Sequence, residues 1–204
     1  MDNTVFWDRI APKYATDPIS DQAAYEATLG RMRHHLQPDH AVIEIGCGTG
    51  STALSLAPGV KRYLGTDVSP GMIDIARGKV QDDVAQTLAF EVAAAADIPE
   101  GPVDAVLALN LLHLLPDLSQ VLHNVWLALP PGGLLMTKTG LLKDGAWYLG
   151  LAIPVMQALG KAPYVRRMSK DELLTAIAEA GFAEVETILQ DGIAPRLFAV
   201  HRKI

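Results

Sequence analysis

The feature that most constrains this chain is an apolar run that breaks into a cluster of glycines. Ala41 to Ile45 read AVIEI, Gly46 to Gly50 read GCGTG, and a stretch of small residues from Ser51 to Ala57 follows. Strand, tight turn and helix is the natural reading, because a short apolar run suits a covered strand and glycine supplies the positive backbone dihedrals that a tight turn demands. The unit repeats. Val60 to Thr66 make a second strand that ends at Asp67, and Ser69 and Pro70 open a helix whose Met72, Ile75, Ala76 and Val80 share a face. Thr87 to Ala93 and Val103 to Leu109 supply two more strands, the second almost continuously apolar, as a strand covered on both faces must be.

Helices frame this core in the sequence. Tyr25, Leu29, Met32 and Leu36 recur at helical spacing within Asp21 to Leu36, and Pro38 stops the pattern. Leu118, Val121, Leu122, Val125, Trp126 and Leu129 form the clearest amphipathic face, closed by Pro130, Pro131, Gly132 and Gly133. Leu134 to Thr139 is a further strand. Ser169 and Glu172 form a capping box ahead of Leu173, Leu174 and Ile177, with Gly181 where that helix should end. Phe182 to Leu189 and Pro195 to His201 are the last two strands. Their short link excludes a helical crossover, so this final pair should be antiparallel where the earlier strands are parallel.

The fold class expected is therefore α/β: a single doubly wound, Rossmann-like domain over residues 1–204, with a mostly parallel seven-stranded sheet and an antiparallel final strand. Residues 1–38 form an amino-terminal helical cap. Residues 141–168, apolar and aromatic, fit the alternation poorly and read as an insert.

Composition removes several function classes. Seventeen basic against 23 acidic side chains leave a net charge of -6, with no global field to gather polyanions, so no nucleic acid is expected as a partner. One cysteine can neither close an intramolecular disulfide nor fill a multi-cysteine metal site; no metal is expected, and a cytoplasmic location is. No secretory signal pattern is visible near Asp2, Asp8 and Arg9. The longest apolar stretch, Ala146 to Gly160, is shorter than the roughly 20 residues a spanning helix needs, so no membrane span is expected.

In an open parallel sheet, ligands bind beyond the carboxyl ends of the strands, and the loop after the first strand is the usual floor. GCGTG sits there. Asp67, at the end of the second strand, matches the carboxylate that takes ribose hydroxyls in nucleoside-binding sheets; the alternative is a cap for the following helix. A dinucleotide fingerprint would want glycine or alanine where this chain has Ser51. Glu44, two residues before the first glycine, is unhelpful to a diphosphate and suits an ammonium. The ligand should carry positive charge.

These segments resemble the class I S-adenosylmethionine-dependent methyltransferases, in particular the small-molecule group. VIEIGCGTG at Val42 to Gly50 is similar to their first motif and LGTDVSPGMIDIAR at Leu64 to Arg77 to their second. VDAVLALNLLHLLPD at Val103 to Asp117 is similar to the strand and loop beside the methyl group, and PPGG at Pro130 to Gly133 to the turn before the fifth strand. Trp7, Asp8, Ala11 and Tyr14 are similar to an amino-terminal pattern whose tyrosine folds over the cofactor. The resemblance implies S-adenosylmethionine as cofactor, with Glu44 and the loop residues Gly46, Cys47 and Gly48 around its methionine part, Asp67 on the ribose, and Val68 and Met72 near the adenine. Where the family has an acidic residue followed by alanine after the third strand, this chain has Ala94 and Ala95. Adenine recognition then falls to backbone groups at Ala95 and Ala96, or to Asp97, which can equally be a solvated loop carboxylate.

Methyl transfer from a sulfonium needs nucleophile and methyl held together away from water, and no fixed catalytic triad. The donor is thus more legible than the acceptor, a small molecule. His113, in the loop after the fourth strand, is the candidate base if a hydroxyl is methylated; packing or helix capping is its alternative. Asn110 and Leu111 in the same loop are expected to contact the cofactor. Asn110 is followed by Leu111 and Leu112, which excludes the signature of the adenine-N6 methyltransferases. In the insert, Trp147, Tyr148, Tyr164 and Arg166 are the candidate acceptor contacts, on a segment that can act as a lid; core or homodimer contacts are the alternative for its aromatics, and solvation for Arg166 and Arg167. Cys47 has no neighbouring base and reads as a small loop filler. Two other function classes stand against this reading: a catalytically silent cofactor-binding protein and an NAD-dependent oxidoreductase.

Overall fold

Strands that are apolar on both faces need a partner on each edge and a helix layer above and below. In a computed structural model of the chain, which describes residues 3–82, 84–146 and 148–204, that requirement is met by one sheet. Its strands are β1 (Ala41–Ile45), β2 (Arg62–Asp67), β3 (Leu88–Val92), β4 (Ala105–Leu109), β5 (Leu134–Gly140), β6 (Phe182–Gln190) and β7 (Arg196–Lys203), in the order β3-β2-β1-β4-β5-β7-β6. β1 to β5 pair in parallel, and β7 runs antiparallel to both of its neighbours, as the short β6–β7 link requires. Strand order reverses between β1 and β4, which opens the crevice typical of such sheets at their carboxyl ends.

The two faces have separate cores. Val42, Tyr63, Leu107, Met136 and Phe198 pack beneath Leu29 and Met32 of α2 (Gln22–His35), Ala53 and Leu56 of α3 (Ser51–Leu56), and Ile73 and Ala76 of α4 (Pro70–Arg77). On the other face Ile43, Val106, Leu135 and Leu197 meet Val121, Leu122 and Val125 of α5 (Leu118–Ala128) and Leu173 and Ile177 of α7 (Lys170–Glu179). The capping box of α7 forms as its sequence predicts, with Ser169 and Glu172 exchanging bonds with each other's backbone. The α4 face differs from expectation. Met72, Ile73 and Ala76 are its buried residues, while Ile75 is half-buried and Val80 lies beyond the helix, because Gly78 ends it.

Helix α1 (Asn3–Thr16) packs across α4, and one carboxylate ties them. Asp8 Oδ1 accepts from Ser69 Oγ at 2.5 Å and from the Gly71 amide at 2.9 Å, at the amino-terminal end of α4 where an acidic group is favoured. The Ser69 bond, then the Gly71 bond, hold its carboxyl below the usual range. A lowered folded value means that the stabilisation is present above the ordinary carboxylate pKa and is lost as pH falls through the folded one. Asp8→Ala should cost about 1 kcal/mol in urea unfolding at neutral pH, and the difference from the parent should shrink on acidification.

Candidate functional site

The glycine loop takes its shape from what surrounds it. Gly46, Gly48 and Gly50 have φ of 68°, 55° and 77°, a region that side chains disfavour. A β-carbon at Gly46 would lie 2.7 Å from Leu111 Cδ1, and one at Gly50 only 2.6 Å from Phe90 Cζ. At Gly48 the nearest atom would be a ring carbon of Tyr14 at 3.6 Å, so here the bare backbone borders open space under the tyrosine ring. Cys47 is buried, its amide donating to Thr66 O at 2.9 Å, and burial pushes its thiol well above the ordinary value. It fills the space beside Gly65.

Asp67, at the end of β2, reaches back to this loop. Its Oδ2 accepts from the Gly48 amide and its Oδ1 from the Ser69 amide, both at 2.9 Å. The capping of α4 falls to Ser69, whose Oγ accepts from the Met72 amide at 3.1 Å. Burial raises the Asp67 carboxyl against the lowering effect of those two amide bonds. Glu44 is 2 % exposed and accepts from Tyr63 Oη at 2.9 Å. Burial, opposed by that bond and reinforced by the charge of Asp67, pushes its carboxyl up to about 8. Tyr14 rests edge-on against Trp7, with ring centroids 6.4 Å apart. Burial, then the negative charges of Asp67 and Glu44, raise its phenol.

The glycine loop, Glu44 and Tyr14 border a cavity of about 980 Å³ at the carboxyl ends of the strands. Tyr14, Glu44, Gly46, Cys47 and Gly48 form one wall, and Asn110, His113, Lys138, Gly140 and Arg196 form the other. Leu142, Ile153 and Val165 of the 141–168 segment add apolar cover; Ile153 stands on α6 (Leu149–Ala158). Asn110 adopts a φ of 54° and donates its amide to Lys138 O at 2.6 Å. Asparagine tolerates that conformation better than most residues. His113 lies in a short 3-10 turn, Leu112–Leu114, with a buried Nδ1 that lacks a hydrogen-bond partner. Burial first, and the charge of Arg196 second, lower its imidazole to about 4, so the ring is neutral at physiological pH.

Several expected site residues stand elsewhere. Asp67 and Leu111 do not border the cavity; Leu111 packs over Gly46. Val68 is half-buried and Met72 is sealed from solvent. Ala95 and Ala96 pack against the second core, with Ala96 O accepting from Asn124 Nδ2 at 2.8 Å, and Asp97 is exposed in a turn. Arg166 does not face the cavity. Its guanidinium donates to Leu115 O at 3.3 Å and Pro116 O at 2.5 Å, and its amide to His113 O at 2.7 Å, so it fastens the insert to the loop after β4. Tyr148 and Tyr164 are 46 % and 40 % exposed and outside the cavity wall, and Trp147 lies outside the described residues. Among the wall residues that sequence reasoning missed are Lys138, Arg196, Asp17, Asp21, Gln190 and Asp191. A lysine inside the otherwise covered strand LLMTKTG was the available signal for the first.

Residues 43–135 match the family model of the methyltransferase domain. That segment, just under half of the chain, is similar to the methyltransferase domain family. Among curated relatives, a highly reducing polyketide synthase of Emericella nidulans, easB, is 29 % identical over 191 residues, which cover 83 % of this chain and 7 % of the synthase. The chain thus spans a small part of the curated relatives it matches. Among solved structures, the [4+2]-cyclase SpnF superposes with a TM-score of 0.79 at 18 % identity, over 98 % of this chain and 94 % of the cyclase. Geranyl diphosphate C-methyltransferase of Streptomyces coelicolor A3(2), solved with Mg2+, geranyl diphosphate and S-adenosyl-L-homocysteine, gives 0.76 at 15 % identity over 100 % and 97 % of the two chains. These likenesses establish the shared fold. No helix among the described residues is long and apolar enough to cross a membrane.

Proposed function

We propose that the chain transfers the methyl group of S-adenosylmethionine to a small-molecule acceptor seated in the 980 Å³ cavity. The observation that carries this reading is the pair of carboxylates flanking the glycine loop: Asp67, bonded to its Gly48 amide, and buried Glu44 on the cavity wall. Two carboxyl groups around bare backbone suit ribose hydroxyls and an ammonium better than a diphosphate, which argues against the NAD-dependent alternative. S-adenosylmethionine supplies an electrophilic methyl and a cationic amino-acid tail. Glu44 faces the ammonium, Gly46, Cys47 and Gly48 hold the tail through backbone, and Asp67 takes the ribose with lone pairs its two amide bonds leave open. Tyr14 closes over the loop. Val68, with Met72 beneath it, and the backbone at Ala95 and Ala96 form the adenine side, which leaves Asp97 to solvent. Asn110 and Leu111 set the edge beside the reacting methyl.

The acceptor enters under Leu142, Ile153 and Val165, so residues 141–168 act as a lid that keeps water out. His113, neutral and with a free nitrogen lone pair, takes the acceptor's proton where the nucleophile is a hydroxyl. Its low basicity suits an acceptor that is already acidic. With Tyr148 and Tyr164 exposed and Arg166 engaged with backbone, they support the lid rather than touch the acceptor. The net charge of -6 disfavours a nucleic-acid acceptor, and the lone cysteine fits a reducing cytoplasm. The exposed Val155 of α6 and Leu159, which caps that helix, are where a homodimer contact would form.

Incubation with methyl-labelled S-adenosylmethionine and pooled small metabolites should give a labelled product. Bound cofactor with no label in any pool would favour a silent binder. Glu44 gives an independent check. A carboxyl raised from 4.5 to about 8 stabilises the folded protein fully below its unfolded value and loses that contribution as pH rises through 8. An arriving ammonium reverses the shift. Binding of S-adenosylhomocysteine at pH 7 should therefore release between roughly half a proton and one proton, read by calorimetry in buffers of different ionisation enthalpy. Glu44→Gln should abolish the release; equal release in parent and variant would remove Glu44 from this role.

A further inference from the structure

Where β5 and β7 meet, the cavity wall carries two cations, with Asp21 and Asp191 also on the lining. Lys138 on β5 pairs in register with Phe198, and Gly140, two residues on, pairs with Arg196 of β7, so Lys138 and Arg196 belong to the same face of the sheet and both border the cavity. Lys138 is 9 % exposed. Its Nζ has three protons to donate, and the bond found for it is to Thr28 Oγ1 at 3.0 Å. That hydroxyl is already committed, donating to Ala24 O at 2.7 Å and accepting from Gln190 Nε2 at 3.4 Å. Among the described residues, no carboxylate lies within ion-pair distance of Lys138 or Arg196. A buried ammonium held only by a neutral hydroxyl is an unfavourable resting state, because the desolvation of its charge is not offset by an opposite one.

The geometry points to Lys138 and Arg196 as an oxyanion subsite: they select an acceptor that carries a carboxylate, anchored at this end of the cavity while its apolar part lies along Leu109, Leu142, Ile153 and Val165. This inference rests on the reading of the cavity as the acceptor site. The charges around Lys138 agree with it. Burial and the neighbouring Arg196 lower the ammonium's pKa, and only Asp21, on the loop before α2, opposes them. His113, on the far side of Gly140, feels Arg196 in the same direction, so a bound anion would be welcome to all three groups. Glu44 lines the same cavity, which therefore offers an acidic group to a cationic donor as well as two cations to an anionic acceptor.

The test compares hexanoate with hexanamide, two probes of one shape that differ in charge, by NMR titration of the full chain with and without saturating S-adenosylhomocysteine. Hexanoate should bind about tenfold more tightly than hexanamide, as charge-assisted bonds to two cations predict. In Lys138→Met and in Arg196→Met the preference should fall to about twofold or less, with the affinity for S-adenosylhomocysteine unchanged. Arg196 is exposed, so its variant tests the subsite even where Lys138→Met fails to fold. Equal binding of the two probes by the parent, no binding of hexanoate, or a preference that survives in Arg196→Met would overturn the inference. Loss of S-adenosylhomocysteine binding in the parent would instead strike the reading of the cavity, while the probe preference is still read without it.

Discussion

Gly50→Ala should be the most destabilising small substitution in the glycine loop. Gly50 combines a φ of 77° with packing that leaves no space: a β-carbon there would lie 2.6 Å from Phe90 Cζ and 3.0 Å from Ala76 Cβ. Neither neighbour can move away cheaply, since Phe90 is 5 % exposed beneath the loop and Ala76 is a fully buried residue of α4. A left-handed non-glycine residue costs about 1 to 2 kcal/mol, and overpacking of a filled core about 1 to 3 more, so the loss should be about 3 kcal/mol in urea unfolding. Gly48→Ala is the control. It carries the same backbone cost, but its β-carbon meets only a ring carbon of Tyr14 at ordinary contact distance, so its loss should stay within about 1 to 2 kcal/mol and its larger effect should be on cofactor affinity. Equal destabilisation by the two variants would contradict this account of the loop.

The second large effect is expected at Asp67. Its carboxylate joins the first two βα turns through the Gly48 and Ser69 amides, and in the proposed complex the same oxygens accept from the ribose. Asp67→Ala removes the ligand bonds and also the clamp that fixes the Gly48 amide, so both recognition and pre-organisation are lost. Charge-assisted hydrogen bonds of this kind contribute about 1.5 to 3 kcal/mol, and affinity for S-adenosylhomocysteine should fall by roughly 12- to 150-fold. Asp67→Asn retains the shape and one acceptor oxygen and should fall between parent and alanine variant. Unchanged affinity in both would place the nucleoside elsewhere.

Most of the fold was legible because its signals are local. Apolar runs of strand length, the capping box at Ser169 and Glu172, and the link too short for a crossover each depend on a few adjacent residues, and each took its expected place. The donor half of the candidate site shared that advantage, since glycine loop, Glu44 and Asp67 follow consecutive turns of one repeating unit. The acceptor half did not. Lys138 and Arg196 are brought together by pairing between β5 and β7, nearly sixty residues apart in sequence, and no local pattern marks that pairing. Arg166 misled for a related reason: it was expected at the acceptor, whereas the carbonyls of Leu115 and Pro116 occupy its guanidinium. Met72 lay on the anticipated face of α4, but Gly78 ends that helix early and the side chain turns inward to the core.

Isothermal titration of the unmodified chain with S-adenosylmethionine, S-adenosylhomocysteine and NAD tests the central claim most directly. Saturable one-to-one binding of both adenosyl ligands, with no heat from NAD, is the predicted result. Saturable binding of NAD while both adenosyl ligands leave the protein unchanged would contradict it.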